Sequence, residues 1–189
     1  MNPLVLIVTL GLALPLLGAR AAESAPTLGN PSFEFAGDKP EDVPAWGVWG
    51  GGIDRVDTWT PTRSGAGMIG YKHWLIRDAG DSGLFQDAGG VEAGAGHEFS
   101  VWIFADEVQG RGFGGVELRL ESGVDGKQVT LASNLVAGAD IPVGRWSRIA
   151  VRAVAPVDNL RVVIVFFPSV DGPRDGAVKI DDAQIVRLP

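Results

Sequence analysis

The sequence predicts an all-β fold in which two antiparallel sheets pack as a sandwich. Its 27 glycines and 12 prolines divide the 189-residue chain into short apolar runs of strand length. One such run, Val116–Glu121, alternates apolar and charged residues with the period of two that a half-buried strand shows. Few segments have the 3.6-residue period of an amphipathic helix, so a helix is hard to place after the N-terminal stretch. Many short strands with few helices favour a sandwich.

The predicted strands are separated by turns of hairpin length. They are Ser32–Ala36, Ile53–Trp59, Gly67–Tyr71, Leu84–Ala88, Glu98–Ala105, Val116–Glu121, Lys127–Ala132, Trp146–Arg152, Leu160–Phe167 and Gly176–Arg187. Leu160–Phe167 is apolar on both faces, so we expect it to be a central strand. Lys127–Ala132 is expected to pair with Val116–Glu121, because only a short glycine-containing turn separates them.

The N-terminal stretch has the features of an export signal. Leu4–Leu17 is almost wholly apolar, and Ala19-Arg20-Ala21 follows with the small-x-small pattern of a signal-peptidase site. The apolar run is shorter than the roughly 20 residues that span a bilayer, so we expect a cleaved signal at residues 1–21. An uncleaved anchor is the alternative. Residues 22–29 are predicted to form a short linker and residues 30–189 one domain, which is secreted, periplasmic or at the cell surface.

Charge and cysteine content exclude several classes of partner and of stabilising bond. The formal net charge is −7, and removal of the signal would take away Arg20 but no acidic residue. An acidic surface disfavours nucleic acids and anionic membranes as partners, because both are polyanions. The chain has no cysteine, so neither a disulfide nor a lipoprotein anchor is possible. The domain must therefore be held by its core or by a metal ion.

Glu98–Ala105 is unusual because neither of its faces is polar. One face carries Phe99, Val101 and Ile103, and the other carries Ser100, Trp102 and Phe104. A strand that packs on the core with one face should be polar on the other. Two explanations remain open here: a loop covers the second face, or Trp102 belongs to an aromatic platform in an open groove.

Several segments resemble the motifs of carbohydrate-binding modules of the family 4/9 and family 22 kind. They are, in order along the chain, Asn30–Glu34, Gly83–Asp87 with Val91–Gly94, Glu98–Trp102, Gly144–Trp146 and Val178–Ala183. The resemblance covers nearly all of residues 30–187. It implies a β-jelly roll of two sheets, also described as galactose-binding-like, and such a fold carries many unrelated functions.

The resemblance also implies a structural calcium ion that joins the two ends of the domain. Glu34 and Asp181 match the positions at which the family supplies carboxylate ligands. Asp182 is adjacent, and a β-bulge at this point would make Asp182 the ligand in place of Asp181. Carboxylate and carbonyl oxygens are the ligands that calcium prefers. The alternative is that these side chains are only solvated charges at strand ends.

A sugar site would depend on aromatic side chains, of which the chain has six tryptophans and one tyrosine. Tyr71, Trp74 and Trp102 best match the ligand-binding positions of the family. Trp49 and Trp59 lie in segments where burial is difficult, so they are further candidates. Glu117 and Arg119 are candidate partners for sugar hydroxyls.

Three functions remain open. The first is a non-catalytic module that binds a polysaccharide or oligosaccharide, and the second is a structural or protein-binding accessory domain of the cell surface. The third is a jelly-roll polysaccharide lyase, suggested by Tyr71-Lys72-His73, since tyrosine and histidine often act as an acid–base pair. Tyr71 is the only tyrosine, and adjacent strand residues point to opposite faces, so we expect no catalytic function.

Overall fold

A computed structural model of the chain describes residues 25–75, 80–106, 113–124, 127–170 and 177–189. The predicted signal lies outside the described residues. The strands are β1 Gly47–Trp49, β2 Ile53–Val56, β3 Met68–Lys72, β4 Ser82–Ala88, β5 Gly96–Ala105, β6 Phe113–Val124, β7 Lys127–Ala137, β8 Trp146–Val154, β9 Leu160–Pro168 and β10 Ala177–Arg187. Short 3-10 turns occur at His73–Leu75 and Gly138–Asp140.

The strands form two five-stranded antiparallel sheets, as the sequence predicts. The front sheet has the order β1-β4-β9-β6-β7, and the back sheet has the order β2-β3-β10-β5-β8. The central position of β9 and the pairing of β7 with β6 are both confirmed. Because consecutive strands often belong to different sheets, residues distant in sequence are brought together on each face.

The strand predictions fail at one segment and miss another. Ser32–Ala36 is not a strand, because Asn30 and Phe33 have positive φ angles of 45° and 55°, which turn the chain. The Asn30 side chain holds this turn by accepting a hydrogen bond of 3.0 Å from the Phe35 amide. The missed strand is β1, a short edge strand in a glycine-rich stretch that gives little periodic signal.

The core lies between the sheets and follows the alternation of the sequence. Val116, Leu118 and Leu120 of β6 are fully buried between the sheets, whereas Glu117 and Arg119 point outward. On β9 the outward residues Val163 and Val165 are buried as well, so both faces of its central part are apolar. The two sheets thus hold the fold without disulfides.

The described part of the predicted linker is attached to the domain. Thr27 exchanges two backbone hydrogen bonds with Gly89, of 2.9 and 3.0 Å, and the Gly29 amide donates to the Gln86 side chain at 2.6 Å. The folded unit therefore begins before Asn30. Among the described residues, no helix is long and apolar enough to cross a membrane.

Candidate functional site

The outer face of the front sheet carries two rows of side chains, which the strand register defines. One row is Gly47, Phe85, Val163, Arg119 and Ser133, and the next is Trp49, Gly83, Val165, Glu117 and Leu135. Neighbouring strands lie about 4.8 Å apart, so each row of five residues spans about 19 Å. We call this surface the front platform.

Two glycines allow two aromatic rings to lie against the front platform. A Cβ atom at Gly83 would lie 2.1 Å from the Trp49 ring, and one at Gly47 would lie 2.3 Å from the Phe85 ring. The rings therefore occupy the space that larger residues would need. Their centroids are 6.3 Å apart with an interplanar angle of 42°, and both side chains are half-buried. A pair of rings resting on a sheet offers apolar faces to a flat ligand.

Beside the rings, the front platform carries the ion pair of Arg119 and Glu117. The Nε and Nη2 groups of Arg119 donate to one Glu117 oxygen at 2.9 and 2.6 Å. Burial raises the pKa of Glu117, but hydrogen bonds from Arg119 and Ser133 outweigh burial and bring this pKa below its usual value. Both partners are thus charged at neutral pH and are held in fixed positions as a hydrogen-bond donor and acceptor.

A second ion pair lies at the edge of the front platform. Arg161 lies 4.6 Å above the Phe85 ring and donates two hydrogen bonds to Asp87, of 2.8 and 3.0 Å. The hydrogen bond from Arg161 lowers the pKa of Asp87. Each of these two arginines is neutralised by its own carboxylate, so the pairs present polar groups without net charge.

The back sheet also has aromatic residues on its outer face, but the loop Asp57–Gly67 covers them. We call this segment the covering loop. Its Trp59 lies over Gly70, where a Cβ atom would approach the ring to 2.8 Å. The Arg63 guanidinium stacks 4.3 Å above the Trp102 ring. The covering loop therefore crosses part of the second face of Glu98–Ala105. Trp102 stays half-buried and also lines an open cleft of about 580 Å³ with Pro31 and Asp182.

Lys179 fastens the covering loop near its centre. Its ammonium group donates to the Thr60 carbonyl oxygen and lies 4.5 Å from the centre of the Phe104 ring. The residue is 5% exposed, and desolvation lowers the pKa of its ammonium group. A buried cation enclosed by a ring and a carbonyl holds a loop in place and is poorly suited to meet a solvent ligand.

Tyr71, Trp74 and Trp102, the residues that best match the ligand-binding positions of the family, do not line one groove. Tyr71 is 0% exposed and stacks on Phe166 between the sheets at 4.6 Å, because it lies on the inner face of β3. Trp102 lies on the opposite, outer face of the same sheet. Trp74 is 42% exposed on the 3-10 turn after β3. Trp59 is half-buried in the covering loop, with its ring over Gly70.

Glu117 and Arg119 are brought together with Trp49 on the front platform, not with Trp102. The two surfaces belong to different sheets, so Glu117 and Arg119 cannot share a site with Trp102. Sequence reasoning missed Phe85, whose only signal is its place in Gly83–Asp87, next to two glycine-rich segments. Its partner Trp49 was a candidate, but the short β1 that aligns the two rings was not predicted.

The residues that suggested a lyase are also in the core. Tyr71 and His73 are both 0% exposed, and their rings stack with centroids 5.9 Å apart. Phe113 packs against the edge of both rings. Neither side chain can contact a polymer in solvent, so this pair supports the core and gives no basis for a lyase.

The carboxylates expected to bind calcium each accept hydrogen bonds from the end of the covering loop. Glu34 accepts hydrogen bonds from the Ala66 and Gly67 amides at 3.1 and 3.2 Å, and Asp181 accepts one from the Ser64 amide at 3.1 Å. The Ser64 hydroxyl donates to Asp182 at 2.6 Å. A register shift separates Asp181 from Gln184, so a bulge is present at this point.

Asp181 is 0% exposed, and desolvation raises the pKa of its carboxyl group to about 6. Within the described part of the chain, no group of three or more histidine, cysteine or acidic residues is arranged to hold a metal ion. A calcium ion here would therefore need backbone carbonyl oxygens or water in addition to Glu34 and Asp181. These hard oxygen donors fit calcium chemically.

No protein-family model matches the chain, and no curated protein matches it either. Solved structures do share its fold. A family 61 carbohydrate-binding module in complex with β-1,4-galactotriose is 17% identical, with a TM-score of 0.56 over 85% of this chain and 97% of that one. The fold is the jelly roll of carbohydrate-binding modules. This finding confirms the fold that the sequence motifs predict.

Two other similar structures differ in what they do. The family 22 and family 10 modules of a Clostridium thermocellum xylanase, in complex with xylohexaose, are 16% identical with a TM-score of 0.54; the match covers 84% of this chain and 28% of that one. A cyclase from Fischerella sp. TAU, in complex with a pyrrolidinylidene-indole, is 16% identical with a TM-score of 0.62; the match covers 87% and 98%. The same jelly roll thus occurs in binding modules and in enzymes.

Proposed function

We propose that the chain is an exported, non-catalytic module that binds an oligosaccharide or polysaccharide on the front platform. The observation that supports this best is the pair of rings, Trp49 and Phe85, lying against the sheet beside the fixed Arg119–Glu117 pair. Pyranose rings have apolar C–H faces that stack on aromatic rings, and their hydroxyls need both donors and acceptors. Across the sheet, Phe85 and Arg119 are two strand spacings apart, about 10 Å, and Trp49 and Glu117 are three apart, about 14 Å.

The charges of the front platform favour a neutral glycan. Arg119 is paired with Glu117 and Arg161 with Asp87, so neither cation is left to attract an acidic sugar. Each ring contact contributes on the order of 1 kcal/mol, so micromolar or weaker affinity is expected. Xylan and β-1,4-galactan are suitable first ligands, because two proteins that contain a similar fold form complexes with xylohexaose and galactotriose.

The proposal is tested by affinity electrophoresis in gels that contain each soluble polysaccharide, after a glycan array has selected candidates. The parent protein should be retarded, Trp49→Ala should migrate as in a gel without glycan, and Trp74→Ala should behave as the parent. Loss of retardation in Trp74→Ala but not in Trp49→Ala would show that the site is at the 3-10 turn His73–Leu75 and not on the front platform. A parent that no glycan retards would refute the proposal.

A structural calcium ion at Glu34 and Asp181 is part of the proposal. Its support is the buried Asp181 carboxylate, which accepts hydrogen bonds from the Ser64 and Asp182 amides at 3.1 and 2.7 Å. A divalent cation would compensate this buried charge and join the N-terminal segment, the covering loop and β10. Asp182, which accepts from the Ser64 hydroxyl, is the alternative ligand on the same bulge.

The similarity to a cyclase favours a second candidate, an enzyme that acts on a small apolar molecule. That similarity extends over 98% of the cyclase chain, as expected for proteins of comparable domain size. Binding of indole without binding of any glycan would favour this candidate. If neither ligand binds, a structural or protein-binding domain of the cell surface becomes the better proposal.

A further inference from the structure

An apolar cleft continues the front platform at the end where β9 finishes. It has a volume of about 470 Å³, and its lining includes Phe113, Leu135, Phe167 and Val170. Ser169 carries the single polar side chain among the described residues that line it. Leu135 and Val170 are 61% and 77% exposed, so the cleft opens to solvent through apolar side chains.

The strand register connects the cleft directly to the front platform. Phe167, Gly115 and Ala137 face one another across β9, β6 and β7 and form the next row after the one that contains Val165, Glu117 and Leu135. Rows on one face of a sheet are separated by about 7 Å, which is roughly the length of one sugar ring. A ligand on Trp49 and Glu117 therefore has the cleft as its immediate neighbour.

The two surfaces differ in chemistry. The front platform combines rings with the Arg119–Glu117 and Arg161–Asp87 pairs, whereas the lining of the cleft has almost no hydrogen-bonding side chain. A bare polysaccharide carries hydroxyls on every unit, and hydroxyls placed in the cleft would lose their hydrogen bonds to water. An alkyl or aryl group would instead gain by leaving water.

We infer that the ligand is a glycoconjugate: a short neutral glycan that binds the front platform, joined to an apolar alkyl or aryl group that enters the cleft. This inference rests on the proposed function, since the sugar must first be placed by Trp49, Phe85 and the Arg119–Glu117 pair. The apolar group then occupies the cleft bordered by Phe167 and Val170.

The test compares methyl and hexyl glycosides of the same sugar. Binding of methyl and hexyl β-xylobioside and β-1,4-galactobioside is measured by NMR titration below the concentration at which hexyl glycosides form micelles. Each buried methylene tightens binding about fourfold, so burial of two or three of them should give the hexyl glycoside an advantage of tenfold or more. Indole serves as the apolar probe without sugar.

A charge in the cleft provides the matched variants. Val170→Asp places a carboxylate in the apolar lining, and Val129→Asp makes the same change on exposed β7 outside it, where the side chain is 48% exposed. Val170→Asp should reduce the ratio of the affinity for the hexyl glycoside to that for the methyl glycoside to about threefold or less. The affinity for the methyl glycoside itself should not change. Val129→Asp should keep the full advantage, because Val129 lies outside the lining of the cleft and its carboxylate cannot meet the hexyl chain.

The outcomes separate this inference from the proposed function. Equal binding of methyl and hexyl glycosides, or an equal effect of both variants, overturns the inference and leaves glycan binding intact. Failure of every glycoside to bind overturns both. Binding of indole alone also overturns both, and it favours an enzyme or carrier for a small apolar molecule.

Discussion

The two sheets place similar residues on their outer faces but use them differently. On each face a tryptophan lies over a glycine, Trp49 over Gly83 in front and Trp59 over Gly70 at the back. In front, the ring belongs to a strand of the same sheet. At the back it comes from the covering loop, which also brings Arg63 onto Trp102. Trp49, Trp59 and Trp102 are all half-buried, so the two faces differ in what crosses the rings and not in how deeply the rings are buried.

The ion pairs show the same contrast. The Arg161–Asp87 pair of the front sheet has an Asp87 side chain that is 68% exposed, whereas the Glu98 side chain of the back sheet is only 8% exposed between Arg148 and Arg152. Exposed pairs contribute little to stability and are available to ligands, whereas removing one partner of a pair whose other charge is buried leaves that charge uncompensated and is costly. We therefore expect substitutions in front to change binding and those at the back to change stability.

The largest expected difference is between Trp49→Ala and Trp102→Ala. Trp102→Ala removes the ring on which Arg63 stacks and should lower the free energy of unfolding by about 3 kcal/mol. Trp49→Ala should lower it by about 1 kcal/mol but weaken glycan binding at least tenfold. Urea unfolding and affinity electrophoresis of both variants measure the two effects. The contrast fails if Trp102→Ala is the variant that loses binding while remaining stable.

Calcium should act on the back of the molecule alone. At a free concentration 100 times its Kd, calcium should stabilise the parent by about 2.7 kcal/mol. Asp181→Asn should remove most of this gain, and without calcium it should be no less stable than the parent, since it removes a buried charge. Melting curves with calcium and with chelator provide the measurement, and Asp140→Asn on the exposed 3-10 turn is the control. If the melting temperature of the parent is the same with calcium and with chelator, the calcium site is refuted.

Acid should weaken the back ion pair more than the front one. Hydrogen bonds from Arg148 and Arg152 hold the pKa of Glu98 below its usual 4.5. The stabilisation that Glu98 provides is therefore fully present above the pKa that Glu98 has in the unfolded chain. It is lost as the pH falls through the lower pKa that Glu98 has in the folded protein. At pH 7, Glu98→Gln should cost about 2 kcal/mol and Asp87→Asn less than 1 kcal/mol. Urea unfolding between pH 7 and 3 should show a shallower pH dependence for Glu98→Gln than for Asp87→Asn; equal curves would contradict the contrast.

The smallest effect is expected where a single methyl group is added under a ring. Gly47→Ala would place its Cβ atom 2.3 Å from the Phe85 ring, so the ring must move away from the sheet. We expect a loss of stability of about 1 kcal/mol and glycan binding weakened about threefold. Gly80→Ala is the matched control, because nothing lies within 4 Å of its added atom. Calorimetric titration that finds parent affinity in Gly47→Ala would show that the position of the ring is unimportant.

Local patterns were sufficient for most of the strands. Strand alternation depends on neighbouring residues only, which is why Val116–Glu121 and the two-faced Leu160–Phe167 were predicted with the correct orientation. Ser32–Ala36 was not, because Asn30 and Phe33 turn the backbone through positive φ angles that residue type does not reveal at Phe33. The short β1 carries too few residues for any periodicity to be visible.

Strand alternation and composition are enough to predict an all-β sandwich, its apolar core and the residue types from which a site could be built. Which of these residues share a surface depends on the fold. Trp49, Phe85, Glu117 and Arg119 lie on one face because β1, β4, β9 and β6 are neighbours in one sheet, an order that is not the order of the chain. Trp102 is not part of that face because β5 belongs to the other sheet, and sheet membership depends on long-range packing that no local pattern encodes.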